Sequence, residues 1–289
     1  MKFSIKKNKN HYLEAYPKPT HRFLKNFYEK TYFKNKTSAS YSKSYSKEEI
    51  ENRKKRSTLY IKIAKSIIKK KKIKFLEIGC GEGFLLKAAH DERFNVTGID
   101  YQSNQLKKFN RSVFKFFKKT DPDEFLSTKN NIKYDVIAAN FVLEHVRDPV
   151  KFINTLKLLL NTNGLIILSI PNDFKNFQNL LYKKKIIKKK YWFAPPQHLN
   201  YFNNINILNF FKKIKLKVIE TVSDFPIEIF LCLGKKNYTN NNQKGKEAHD
   251  ARLMIDNFIL SQTFKISLDF YKACHNSGIG RGMTFFLKK

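Results

Sequence analysis

Glu77-Ile78-Gly79-Cys80-Gly81-Glu82-Gly83 stands between the apolar run Ile73 to Leu76 and the segment Phe84-Leu85-Leu86. The pattern predicts a buried strand, a glycine turn and a helix, and Asp100 closes the next apolar stretch, Phe94 to Ile99, about twenty residues on. Glycines let the backbone turn with positive φ and let a ligand approach the main chain, while the helix behind them offers free N–H groups. A nucleoside-cofactor site is expected here, against the plainer alternative of a tight turn with no ligand. A dinucleotide fingerprint would place a small residue where this chain has Phe84, so that the helix can pack close under a pyrophosphate. The third glycine instead comes one position early, and a carboxylate, Glu77, precedes the first. No pyrophosphate is expected.

The glycine spacing, Glu77 and the strand-ending Asp100 together resemble the class I S-adenosylmethionine-dependent methyltransferases. That resemblance implies a loop cradling the amino-acid end of the cofactor, Asp100 on the ribose hydroxyls and Glu77 orienting the ammonium. It also puts Gly79, Cys80, Gly81, Gly83, Phe84, Tyr101, Asn140 and Phe141 near the cofactor, and Asp121 near the adenine, although Asp121-Pro122-Asp123 reads equally as a turn and helix cap.

Further strands follow at α/β spacing. Val113 to Phe117 reads as a third strand and Tyr134 to Ala139 as a fourth; Asp148-Pro149 starts a helix that Asn163-Gly164 ends. Leu165 to Ile170 is apolar on both faces and reads as a fifth. Leu216 to Val222 and Gly282 to Leu287 give a sixth and seventh, which the resemblance pairs antiparallel at one sheet edge. The fold class is therefore α/β: a doubly wound, Rossmann-like seven-stranded sheet, mostly parallel with the last strand antiparallel. The predicted organisation is a helical extension or lid over residues 1–70 and a core over 71–224 and 281–289. A helical insertion or substrate lid occupies 225–280. A Ser/Lys/Tyr-rich joint is expected at Thr37 to Lys47 and a polar tip at Lys235 to Gly245.

With 289 residues and 42% hydrophobic content, the chain has enough apolar matter for one large core. No apolar run suggests a signal peptide or a membrane span, and three cysteines without metal spacing fit a reducing compartment; a cytoplasmic protein is expected. A net charge of +33 invites a nucleic-acid reading, but of 57 basic residues only eight are arginine. Abundant Lys, Asn, Ile and Phe look like drift in an AT-rich genome. The densest patch, Lys183 to Lys190, reads either as a solvated face or as a contact for anionic headgroups or an acidic substrate. Base methylation is disfavoured as well: Asn140-Phe141-Val142-Leu143 lacks the Pro-Pro-aromatic segment of amino-methyltransferases, and no cysteine follows a proline.

A small or medium-sized acceptor remains, and its hydroxyl must lose a proton. His145, just past the fourth strand, is a candidate base, with helix capping or core packing as the alternative. His198 is the second candidate. It lies in Tyr191-Trp192-Phe193-Ala194-Pro195-Pro196-Gln197-His198-Leu199-Asn200-Tyr201-Phe202, where Trp192, Gln197 and Tyr201 are read as an acceptor wall or as an aromatic cover of the sheet edge. Leu143-Glu144-His145-Val146 resembles quinone methyltransferases, some of which bind a cation, and the resemblance makes Glu144 a candidate for that part; one carboxylate alone is weak evidence for a metal, and none is expected. The Pro-Pro-x-His segment, Ile170 to Asp173 and Gly278 to Arg281 resemble methyltransferases related to ubiquinone-biosynthesis enzymes and found in surface-sugar pathways. This implies S-adenosylmethionine as cofactor and a sugar or glycan hydroxyl as acceptor. The alternatives are a quinone or lipid-linked acceptor at the membrane surface, or a lysine-rich RNA-binding, non-catalytic protein.

Overall fold

The computed structural model describes residues 2–27, 44–127, 132–233, 239 and 242–289. The joint expected at Thr37 to Lys47 falls outside these as far as residue 43, as do residues 235–238, 240 and 241 of the expected polar tip.

In chain order, β1 (Ser4–Lys7) and β2 (Leu13–Tyr16) form a hairpin, and α1 (His21–Phe27) follows. The helix α2 (Lys47–Ile68) starts on a capping box, in which Ser46 and Glu49 each satisfy the other's backbone N–H. The core then runs β3 (Lys74–Ile78), α3 (Phe84–Asp91), β4 (Asn95–Asp100), α4 (Asn104–Phe109), β5 (Phe117–Lys119), α5 (Pro122–Ser127) and β6 (Tyr134–Asn140). It continues through α6 (Pro149–Leu159), β7 (Leu160–Pro171), α7 (Asn176–Lys183), β8 (Asn200–Tyr201), α8 (Asn206–Lys213) and β9 (Lys217–Ser223). A 3-10 turn (Ile227–Cys232), α9 (Asn242–Leu260) and α10 (Phe264–Asn276) make up the insertion before the closing strand β10 (Gly282–Lys288).

The main sheet has the order β5-β4-β3-β6-β7-β10-β9, with β10 antiparallel to both neighbours and the five strands β3 to β7 parallel. This is the predicted doubly wound sheet. The central strands are apolar on both faces because helices cover both. One face packs Leu76, Ile78, Ile137 and Ile166 against α6 and α8, and the other packs Phe75, Val136 and Ile167 under α2 and α3.

Three expectations need correction. Residues 113–116 are not a strand: Arg111–Phe116 is a 3-10 helix, and only Phe117–Lys119 is extended. Val113, Phe114, Phe116 and Phe117 are spaced as on a helical face, and the fully buried Val113 plugs the core beside Leu106. Asn163-Gly164 does not cap the preceding helix. That helix ends at Leu159, Leu160 already pairs with Tyr134, and the extra residues bulge outward through a left-handed Asn163 (φ 63°) before Leu165 pairs with Val136. The N-terminal segment is helical over Lys47–Ile68 but begins as a hairpin, which β8 extends into a three-stranded sheet.

Candidate active site

The carboxyl ends of β3, β4, β6 and β7 open into a cavity of about 1250 Å³, roofed by α2 and α9. The ligand crevice of an open α/β sheet is expected in this place, outside the carboxyl ends of strands where the strand order reverses. Along β3, Glu77 is carried to the cavity floor, and Gly79 and Gly81 turn there with φ of 69° and 50°. A Cβ on Gly79 would stand 2.8 Å from Val142 Cγ2, so the loop has no room for a side chain there. Cys80 Sγ lies against Gly98 and its thiol is pushed well up, by burial first and then by the neighbouring Glu77 and Asp100. It fills space at the cavity floor.

Asp100 accepts the Gly81 N–H at 2.9 Å and the Gln102 N–H at 3.2 Å, which fixes the carboxylate at the cavity edge with lone pairs to spare. Glu77 Oε2 is buried and has no hydrogen-bond partner among the described residues. Burial, with Asp100 and Glu82 adding to it, raises the Glu77 carboxyl well above the usual range. Three acids around one glycine loop make a floor suited to a cationic ligand.

Phe84, Tyr101, Asp121, Asn140 and Phe141 also line the cavity; Tyr101 donates to Asp121 at 3.0 Å and Ser169 donates to Asn140 at 2.8 Å. Gly83 is the exception among the residues expected near a cofactor. It is absent from the lining, and its Cβ would fall 2.0 Å from Leu106 Cδ1, so glycine there serves the packing of α4.

His145 and His198 come together although 53 positions separate their numbers, their rings 5.1 Å apart and nearly perpendicular. The stitching is local. Glu144 O accepts the N–H of Leu199 and of Asn200, while Asn200 Nδ2 donates to the carbonyls of Leu143 and Val146. His145 Nδ1 lies 2.7 Å from Gln197 O and so carries the proton, leaving Nε2 as the acceptor. Burial, helped by the charge of His198, pulls the His145 imidazole down to about 3, so it is neutral.

His198 is pushed the other way. Burial opposes its charge, but Asp173, with Oδ2 3.9 Å from Nδ1, and Glu144 outweigh it and raise its proton affinity. Asp173 is held low: burial is outweighed chiefly by Arg281, whose Nη1 donates to it at 2.7 Å. Asp173 and Arg281 were quoted in the sequence only as parts of a resemblance, and no role was read for either.

The acceptor wall needs correction. Trp192 is 2% exposed and packs with Leu181, Ile187 and Leu231; Tyr201 is 1% exposed and donates to His198 O at 2.8 Å. Neither they nor Gln197 line the cavity. Gln197 and Tyr201 brace the histidines from behind. Glu144, a lone carboxylate in the sequence, is joined here by His145 and His198: the three offer ligand atoms within 4.8 Å of one another.

The methyltransferase domain family matches this chain over residues 48–221. The chain belongs to that family. Ubiquinone biosynthesis O-methyltransferase of Actinobacillus pleuropneumoniae serotype 7 is 32% identical over 107 residues, covering 34% of this chain and 46% of that protein. The namesake from Rickettsia conorii is 27% identical over 192 residues, covering 57% of this chain and 63% of its own length. The chain spans about half the length of most of the curated relatives it matches. Among solved structures, the plantazolicin methyltransferase in complex with SAH superposes with a TM-score of 0.54 at 16% identity, covering 92% of this chain and 93% of that one. A SAM-dependent methyltransferase from Archaeoglobus fulgidus superposes with a TM-score of 0.50 at 16% identity, over 83% and 94%. This methyltransferase-family chain thus has the class I fold, and its glycine cradle, unpartnered Glu77 oxygen and strand-ending Asp100 fit S-adenosylmethionine.

Proposed function

We propose that this protein transfers the methyl group of S-adenosylmethionine to a hydroxyl of a small-molecule acceptor. The observation that carries the reading is the acid-floored glycine cradle opening into the same cavity as the paired histidines. The backbone of Gly79 and Gly81 and the Glu77 carboxylate would hold the cationic amino-acid end, and Asp100 the ribose diol. When bound, the cofactor supplies an electrophilic methyl on a sulfonium. Asp121 and Tyr101 would flank the adenine.

His198 is the proposed base, held by Asp173, with the neutral His145 Nε2 as the second acceptor of the hydroxyl proton. A divalent cation on Glu144, His145 and His198 is the rival way to acidify that hydroxyl. Activity that survives exhaustive chelation supports the base; loss of activity restored by added magnesium or zinc favours the cation.

As acceptor, a sugar or glycan hydroxyl is supported by the sequence resemblance alone, while the relatives' names concern O-methylation in ubiquinone biosynthesis. A membrane-surface variant has its own observation. Lys183, Lys184, Lys185, Lys188, Lys189 and Lys190 are exposed beside the exposed Leu180 and Tyr182, a mix suited to anionic headgroups. No described helix is long and apolar enough to cross a membrane.

Calorimetry tests the cofactor reading. S-adenosylhomocysteine is expected to bind, and Asp100→Ala to weaken it about tenfold or more by removing a charged hydrogen-bond acceptor. No binding, or no loss on Asp100→Ala, defeats the reading. Steep salt-dependent binding of RNA that persists in Gly79→Arg would instead favour the non-catalytic alternative.

A further inference from the structure

Arginine is scarce in this chain and concentrated in one place. Of 57 basic residues eight are arginine, and five of the eight, Arg53, Arg56, Arg147, Arg252 and Arg281, line the large cavity. Among the described residues, Lys119 is the single lysine lining it. Compositional drift raises lysine on every solvated surface, but it does not clear lysine from one cleft and gather arginine there. The planar guanidinium fork serves a purpose at this site that an ammonium does not.

For four of the five the purpose is visible. Arg56 grips Asp224 at 2.7 Å and Asp256 at 2.8 Å, Arg252 holds Asp256 at 2.7 Å, and Arg281 holds Asp173 at 2.7 Å. Arg53 stacks over the Tyr45 ring at 4.2 Å and reaches Glu82 at 3.9 Å. These are ties between the helical additions, the glycine loop and the sheet edge.

Arg147 has no such tie. It is exposed, sits two residues after His145, and forms no ion pair or side-chain hydrogen bond among the described residues. Its neighbour Asp148 does not neutralise it by a contact, because that carboxylate caps α6 by accepting the Lys151 N–H at 3.0 Å. The same wall presents an exposed aromatic ring, Phe141 at 45%. An unpaired fork next to the candidate base, on a wall with an apolar face, is shaped for an acceptor with a ring or chain body and a negative group.

We propose that Arg147 binds an anionic group, a carboxylate or a phosphate, on the acceptor, so that the substrate class is a hydroxyl-bearing anion. The inference rests on the methyl-transfer reading above and names the substrate class of that site. Arg147 would orient the acceptor and leave the proton to the histidines, making it a specificity residue.

The test uses the full chain saturated with S-adenosylhomocysteine and two matched pairs of probes, catechol with 3,4-dihydroxybenzoate and glucose with glucose 6-phosphate. In each pair one member carries the anion, and the two arms separate a ring carboxylate from a sugar phosphate. At least one anionic member is expected to bind about tenfold or more tightly than its neutral counterpart. That preference should vanish in Arg147→Ala, reverse in Arg147→Glu and be partly kept in Arg147→Lys. Equal binding within both pairs, no binding of any probe, or a preference that survives Arg147→Glu overturns the inference. Because Arg147 is exposed and distant from the glycine loop in sequence, the variants should keep wild-type affinity for S-adenosylhomocysteine. Absence of that binding in the wild type would fail the cofactor reading itself, a result separable from loss of anion preference.

Discussion

Lys175 offers the sharpest test of how the insertion is held to the core. Its ammonium is fully buried, 3.2 Å from Glu228 Oε2, and also donates to Ile279 O at 2.6 Å and Gly280 O at 3.0 Å. Lys175→Met removes one partner of a buried ion pair, a change that costs about 3–5 kcal/mol because the other charge stays buried. Two features pull the value toward the low end of that range. Glu228 Oε1 keeps Gln178 at 3.1 Å and Tyr191 at 3.3 Å with Arg281 Nε at 3.8 Å, and Gly280 O keeps Asn172 Nδ2 at 2.9 Å. A loss of about 3 kcal/mol is expected. The double variant Lys175→Met/Glu228→Leu removes both charges and replaces them with apolar volume, so it should lose only about 1–2 kcal/mol, mostly from the stranded Gln178 and Tyr191. Urea unfolding followed by fluorescence is the assay, and the only tryptophan, Trp192, reports locally because it packs against Leu231 in the same turn as Glu228. A double variant as unstable as the sum of the two single variants would refute the coupling.

Glu144 predicts a pH dependence. Burial raises its carboxyl from the ordinary 4.5 to about 7, so the folded chain binds a proton that the unfolded chain has lost between those values, and stability falls as pH rises through that window. Glu144→Gln should therefore gain about 3 kcal/mol relative to the wild type on going from pH 4.5 to pH 8 in urea titrations; a difference independent of pH would count against it. Gly83→Ala is expected to lose about 2–4 kcal/mol, since a left-handed φ of 75° is combined with a Cβ 2.0 Å from Leu106, and a wild-type melting curve would show that α4 yields freely. His198→Ala should lower turnover on any accepted substrate about a hundredfold or more while leaving cofactor affinity intact, and Asp173→Asn should lower it less and shift the pH profile toward acid; unchanged turnover in both removes the base assignment.

The doubly wound sheet was readable because its signal is local. A glycine turn between an apolar strand and an apolar helix, repeated α/β spacing and an acid at the second strand end all lie within short windows. Asp173 and Arg281 escaped notice as a working pair because 108 positions separate them and only the adjacency of β7 and β10 joins them. Trp192 was misread for a related reason. An aromatic-rich loop looks the same in sequence whether its rings face a ligand or the core, and here the insertion's Leu231 covers the indole. The N-terminal hairpin was missed because its strands are four residues each and one depends on a two-residue partner at Asn200–Tyr201. Val113 shows the converse error, where β-branched and aromatic composition outweighed a helical spacing that the core preferred.

Arg56 reaches from α2 to Asp224 at the sheet edge and to Asp256 in the insertion, and Tyr271 OH closes on Asp256 at 2.8 Å from α10. Three segments far apart in the chain thus meet at one guanidinium, which acts as a keystone over the cleft. Neither helical cover can swing aside alone without parting a buried ion pair. Swinging both covers together would still part Arg56 from Asp224, so the flank beside the exposed Arg147 is the way in and out that breaks none of these ties.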